Sequence, residues 1–170
     1  MLKLVKLTPE MESEFKDYIA EWGNESIVPF STNPNGRTYS ELLDYIKSCE
    51  NKETCPEGFV PDRTYALINE TNRILGAVNL RLELNEYLLN FGGHIGYGIR
   101  PSERQKGYAK EQLKLTLPIA KSFGLDKVLI TCDKENSGSS RTIVACGGVL
   151  EDERENKNEN EITQRYWITI

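Results

Sequence analysis

The run Gly98-Ile99-Arg100-Pro101-Ser102-Glu103-Arg104-Gln105-Lys106-Gly107-Tyr108-Ala109 is the most informative segment of this 170-residue chain. A strand-like stretch stops at a proline, a polar loop follows, and the chain enters a helix through Arg-x-x-Gly-x-Ala. Ala109, Leu113, Leu117 and Ala120 recur on one side, which predicts a helix over Lys106 to Phe123 with Gly124 as its stop. Pro118 inside it removes one N–H and should bend it. Such a junction points several unsatisfied backbone N–H groups and the positive end of the helix dipole at one place, where phosphate binds readily. Gly107 allows close approach, Ala109 keeps the next position small, and Arg104 and Lys106 add positive charge. The loop suits a pyrophosphate. The plain alternative is a loop-to-helix junction with a solvated basic cap. Neither G-x-x-x-x-G-K-[ST] nor G-x-G-x-x-G occurs, which argues against a nucleoside triphosphate or NAD site.

Working outward, Gly92 to Arg100 reads as a glycine-rich strand. Before it, Ile74 to Leu84 alternates, with Val78, Leu80, Leu82 and Leu84 on one face and Asn79, Arg81 and Glu83 on the other. That pattern predicts a strand covered well on one side only. Thr64 to Ile68 is a further strand, and Asn69 to Asn72 a turn. Toward the N-terminus, Lys3 to Leu7 predicts a short strand, followed by Thr8 as N-cap and Pro9 at the first helical position. Met11, Phe15, Tyr18, Ile19 and Trp22 form one helical stripe. Thr38 and Glu41 make a capping box before Tyr39, Leu42, Leu43 and Ile46. The intervening Gly23 to Gly36 reads as a loop. Downstream, Lys127 to Cys132 is a buried strand, Ser139 to Cys146 a short helix, Val149 to Glu151 a strand, and Arg165 to Ile170 the last strand. Asp152 to Glu161, almost wholly charged or Asn, reads as a solvated turn.

Composition narrows the classes. Residues 1–170 suffice for one domain with a full core, and no internal repeat or linker divides them. No apolar run approaches the roughly 18 residues of a membrane span. The start, acidic almost at once and without a long apolar stretch, reads as a cytoplasmic protein with no membrane partner. A net charge of −5 argues against nucleic acid, which selects a basic face. Cys49, Cys55, Cys132 and Cys146 form no C-x₂-C pair, and His94 is the one histidine, so buried free thiols are expected and metal is not.

Strand, Ile-Arg-Pro-Ser-Glu-Arg-Gln-Lys-Gly-Tyr-Ala, then helix closely resembles the acetyl-CoA loop of the GNAT N-acetyltransferase superfamily, whose hallmark [RQ]-x-x-G-x-[GA] falls on Arg104, Gly107 and Ala109. About thirty residues on, Asn136-x-x-Ser139, Arg141 and Gly147-Gly148 resemble the family's segment after its fifth strand. The resemblance implies an α/β fold: a mixed, twisted sheet of six or seven strands with helices on both faces and a splayed central strand pair near Ile95–Ile99 and Val128–Cys132. It implies pantetheine along Tyr97 to Ile99, pyrophosphate on the amides of Gln105, Lys106, Gly107, Tyr108 and Ala109, and Asn136 with Ser139 or Ser140 on the pantetheine side. The implied reaction is attack of a neutral amine on the thioester of acetyl-CoA, with no metal. The acceptor is a primary amine of a small molecule or protein, and dimers are common among apparent relatives.

The chain departs from this pattern at the proton donor. Many relatives carry a Tyr in the short helix to protonate the leaving thiolate, and that position is Ile143. Cys146, Ser139 and Ser140 are substitutes in principle, and a non-catalytic acetyl-CoA-binding module is the alternative reading. For the base, His94 titrates in the useful range; equally, it would simply hydrogen-bond a neighbouring strand or loop. Glu83 and Glu86 are carboxylate alternatives, with a solvated strand end as their plain reading. Arg81 and Asn79 reach a substrate or face water. Trp22, Tyr39 and Tyr45 lie on helices that wall the acceptor site in the superfamily, though most of that stripe is expected to be core and is not assigned to ligand contact, and Glu25 to Arg37 is the expected specificity element by position.

Overall fold

The computed structural model describes Met1–Ile170 throughout. The elements run β1 (Lys3–Val5), α1 (Glu12–Ala20), α2 (Tyr39–Ser48), β2 (Asp62–Ile68), β3 (Ile74–Arg81), β4 (Ile95–Ile99), α3 (Tyr108–Ser122), β5 (Lys127–Asp133), α4 (Ser137–Ala145), β6 (Val149–Asn156) and β7 (Glu161–Thr169). Two antiparallel ladders form, ordered β1-β2-β3-β4 and β5-β7-β6. β4 and β5 abut at one point: the His94 N–H donates to the Leu129 carbonyl at 2.7 Å, and the Leu129 N–H donates to His94 Nδ1 at 2.9 Å. Beyond it no ladder joins them. The expected splayed pair is therefore present, as a seam between two ladders.

Helices cover both faces. On one, Phe15, Tyr18, Trp22, Tyr39, Leu42 and Ile46 from the α1 and α2 region pack on Ala66, Ile68 and Ala77. On the other, Leu113 and Ala120 of α3 and Ile143 of α4 pack on Val78, Leu80, Ile95, Val128 and Ile130. Each such Leu or Ile contributes roughly 1.5–3 kcal/mol by leaving water. The capping box forms as its sequence predicts, with Glu41 N–H donating to Thr38 Oγ1 and Thr38 N–H to Glu41 Oε2. Thr8 makes no side-chain cap, and Pro9 opens a 3₁₀ turn that runs into α1.

Four local expectations change. β3 stops at Arg81, and its buried run Ile74–Leu80 has no water-facing side, because α1 and α2 cover the face that carries Asn79. A π-helical turn, Leu88–Gly92, leads into β4 in place of a longer glycine-rich strand. The charged segment after Glu151 is not one long turn: β6 continues to Asn156 and β7 begins at Glu161. β6 is an edge strand, where charge is tolerated because side chains reach water. Its charges pair with neighbours, Arg165 with Glu151 and Asp152, and Glu153 with Lys134. All four cysteines are free, yet only Cys49 is buried and the others are half-buried.

One polar cluster anchors the end of β4. Arg100 is fully buried and donates through Nε to Glu21 at 2.7 Å, through Nη1 to Glu14 at 2.7 Å and the Ile74 carbonyl at 3.0 Å, and through Nη2 to Asp17. The three carboxylates sit at i, i+3 and i+7 along α1 and beyond it, one helical face. Arg73 joins Glu21 to Glu103, tying the loop after β4 to the same helix. Burial opposes ionisation of Glu21, but hydrogen bonds from Ser102 and Arg100 overcome it and hold the carboxyl at about 2. A carboxyl depressed from 4.5 stabilises the fold above that value and loses its contribution as pH falls toward 2. We expect the melting temperature to drop steeply below about pH 4.5 and the Glu21→Gln variant to lose that part of the slope, as thermal melts across pH would show.

Candidate active site

A groove of about 570 Å³ runs between β4, the start of α3 and α4. Tyr97, Ile99, Arg104, Gln105, Gly107, Tyr108, Ala109, Asn136 and Ser139, all singled out in the sequence, line it together. Its floor is the edge of β4 that β5 leaves unpaired. Its mouth is the loop before α3, where Gln105 and Gly107 both adopt positive φ, +62° and +84°. Gly107 is required for that angle, not for space, because a Cβ there would touch nothing. Gln105 accepts a conformation that L-residues rarely take, a strain that surrounding structure must offset. The consequence is concrete: the N–H groups from Gln105 to Ala109 donate to no acceptor in the chain. Five consecutive unpaired amides at a helix start make a candidate anion cradle.

The charges are arranged differently from the sequence expectation. Arg104 Nε donates to the Ile99 carbonyl at 3.1 Å, its Nη1 pairs with Glu25 at 2.8 Å, and its guanidinium lies over the Trp22 ring. Lys106 pairs with Glu103 at 2.9 Å and does not line the groove. The cations that line it without a carboxylate partner are Lys110 and Arg141. Gly138, Arg141, Thr142 and Ala145 also line it, one face of α4. That spacing of three and four residues from Gly138 was the signal available in sequence.

Opposite the cradle, Asn136 caps α4 by accepting the Ser139 N–H at 3.1 Å, which sets the helix start against β4. Tyr97 and Ser139 share a hydrogen bond of 2.9 Å across the groove. Burial pushes the Tyr97 phenol up to about 12, partly offset by that bond, so it remains a proton donor at neutral pH. Ile143 is fully buried in the core against Gly148, so no hydroxyl reaches the groove from that position.

His94 lies outside this groove. It is buried, and its Nδ1 lone pair is occupied by the Leu129 N–H, which places the ring proton on Nε2. Burial and the nearby Arg81 lower it to about 4. Its geometry is that of the strand-bonding alternative. Glu83 pairs with Lys52 in solvent and Glu86 is exposed, as their plain reading had it. Asn79 and Arg81 do not face water: Asn79 is buried, and Arg81 is largely enclosed and donates to the carbonyls of Gly92 and Gly93.

The acetyltransferase (GNAT) domain family matches residues 2–149. The chain belongs to the GNAT acetyltransferase family. No curated protein sequence matches it. Among solved structures, the dodecameric spermidine N-acetyltransferase from Vibrio cholerae superposes with a TM-score of 0.65 at 17% identity, covering 99% of this chain and 92% of that one. The microcin C7 self-immunity acetyltransferase MccE, in complex with acetyl-CoA and AMP, gives 0.72 at 15% identity, with 99% and 92% covered. At such identities the likeness is one of fold. In this GNAT domain no group of His, Cys, Asp and Glu could hold a metal, and no helix is long and apolar enough to cross a membrane.

Proposed function

We propose that this GNAT domain transfers the acetyl group of acetyl-CoA to a primary amine of a small molecule or protein. The observation that carries the reading is the cradle of five unpaired amides at the mouth of a groove whose floor is an unpaired strand edge. The pyrophosphate fits the cradle, Lys110 and Arg141 neutralise phosphate charge, and the pantetheine lies along β4 toward Tyr97. A neutral amine forms the new C–N bond at the thioester carbon, the C–S bond breaks, the CoA thiolate leaves, and the nitrogen's extra proton passes through water to that thiolate, giving the amide and CoA thiol. Strand N–H groups steady the oxyanion. The Tyr97–Ser139 pair is the hydroxyl source facing the groove for the thiolate. His94 acts by holding β4 against β5 where the splay begins, not as the base.

The buried Ile143 favours one second reading, a module that binds acetyl-CoA without turnover. Loss of a general acid typically costs ~10²–10⁴-fold, and a thiolate is a tolerable leaving group, so the enzyme reading stands first. Thiol release with acetyl-CoA and a panel of primary amines separates the two: turnover above the protein-free rate supports the enzyme, and its absence despite binding supports the module. We also expect Arg104→Glu to weaken acetyl-CoA binding by roughly tenfold, since the new carboxylate would face Glu25 and lose the Ile99 carbonyl. Unchanged affinity in calorimetry would contradict that placement.

A further inference from the structure

On the face of the sheet beneath α2, two cross-strand pairs place four polar side chains side by side. Asp62 of β2 lies directly opposite Arg81 of β3, and Thr64 opposite Asn79. Alternate residues of a strand share a face, so Asp62 and Thr64 form one row and Asn79 and Arg81 the other. They make the floor of a small cavity, about 50 Å³, walled by Tyr45 and Ile46 of α2, by Cys49 just after it, and by Phe30, Ser31 and Phe59.

Three of the four are satisfied. The Thr64 hydroxyl donates to Ser31 Oγ at 2.9 Å and accepts from Asn79 Nδ2 at 3.1 Å. Arg81 Nη1 donates to the carbonyls of Gly92 and Gly93 at 2.9 and 3.2 Å. Asp62, only 7% exposed, is the exception: its buried Oδ1 has no hydrogen-bond partner, and no cation pairs with it. A buried carboxylate oxygen without a donor is costly, and native structures rarely keep one without use. The neighbours that face it are Arg81 from β3, Tyr45 from α2, Cys49 and Glu50 just beyond α2, and Arg63 on its own strand. Burial dominates and raises Asp62 to about 6, with Asn79, Arg81 and Arg63 pulling the other way.

The cavity borders β4. Asn79 is the register partner of Gly96 in the middle of β4, and a Cβ on Gly96 would come within 3.3 Å of the Arg81 guanidinium. The next residue, Tyr97, points to the opposite face and into the groove. The floor and the groove therefore meet at β4. Phe30 and Phe59, both about half exposed, rim the opening with aromatic surface.

We infer that this floor docks the acceptor: Asp62 receives the ammonium of a primary amine carried on an apolar or aromatic stem, which lies against Phe30, Phe59 and Tyr45, and the nitrogen attacks the thioester only after one of its protons has passed to solvent water. An ammonium offers three donors, one of them for the Oδ1 that lacks a partner, and its stem lies on ring faces that attract cations and apolar groups alike. An anionic acceptor is disfavoured, because Arg81 is committed to carbonyls and Asp62 repels it. The inference rests on the acetyl-transfer reading above.

Calorimetry tests it on the CoA-loaded protein, which cannot turn over, with n-butylamine and phenethylamine as probes and 1-butanol as the neutral control. We expect wild type to bind at least one amine and not the alcohol, and Asp62→Asn to weaken amine binding more than tenfold with CoA affinity unchanged. The same variant should melt higher than wild type at pH 7.5 and lose that advantage below pH 4. The reason is that a carboxyl raised from 3.8 to about 6 costs folding stability as pH rises through that range. A residue that merely braced the fold would melt lower when replaced. Amine binding that survives Asp62→Asn, or no amine binding to a protein that binds CoA, overturns the assignment of Asp62 alone. Failure to bind CoA overturns the acetyl-transfer reading instead.

Discussion

Arg100→Ala lowers the melting temperature by roughly 6–12 °C. The arithmetic starts from the burial: Arg100 is wholly enclosed and is the guanidinium on which Glu14, Asp17 and Glu21 converge. Removing one partner of a buried ion pair costs about 3–5 kcal/mol, because the charges left behind remain desolvated. The three carboxylates are partly exposed, so solvent recovers some of that loss and the lower end, about 3 kcal/mol, applies. For a chain of this size each kcal/mol moves the midpoint by roughly 2–4 °C. Arg100→Lys should recover little, since one ammonium cannot meet the Nε, Nη1 and Nη2 contacts at once. Arg100→Ala also frees the chain just before the loop that precedes α3 from α1, so acetyl-CoA affinity should fall with the melting temperature. A differential scan showing a change below 2 °C would mean the cluster is ornamental.

The second large effect concerns binding. Lys110→Glu combined with Arg141→Glu should weaken acetyl-CoA affinity about 100-fold, with a melting temperature near that of wild type. Both side chains line the groove with no carboxylate partner, so neither reversal breaks an internal pair. At distances near 5 Å in a solvated cleft each unit charge is worth about 1 kcal/mol, and reversal doubles it. Two reversals then sum to about 3 kcal/mol after screening by salt. The loss should shrink at high ionic strength, whereas a steric cause would not respond to salt. Calorimetry at two salt concentrations reads both quantities.

The parts of the site legible in the sequence were those written locally. The junction from Ile99 to Ala109 and the capping box of Thr38 and Glu41 each depend on residues within a few positions. Their chemistry could be read without a fold. What escaped depends on residues brought together from afar. Arg100 meets Glu14, Asp17 and Glu21 across about eighty residues; their spacing of three and four marked a charged helical face, but nothing local named its partner. Asn79 and Arg81 alternate like solvent-facing residues, and elements distant in sequence, among them Phe30, Ser31, Phe59 and α2, pack above them and turn that face inward. His94 stayed open between a base and a strand contact, because a sequence does not show that Leu129 N–H occupies its Nδ1. The tail after Glu151 was read as a turn from its charge, yet an edge strand accommodates such charge once Arg165 lies buried beneath it.

Isothermal titration of the wild-type protein with acetyl-CoA, with ATP and NAD as parallel titrants, tests the central claim most directly. Saturable binding of acetyl-CoA at one site, with ATP and NAD far weaker, is the result expected from the amide cradle and the open edge of β4. No heat with acetyl-CoA, or tighter binding of ATP or NAD, would contradict it.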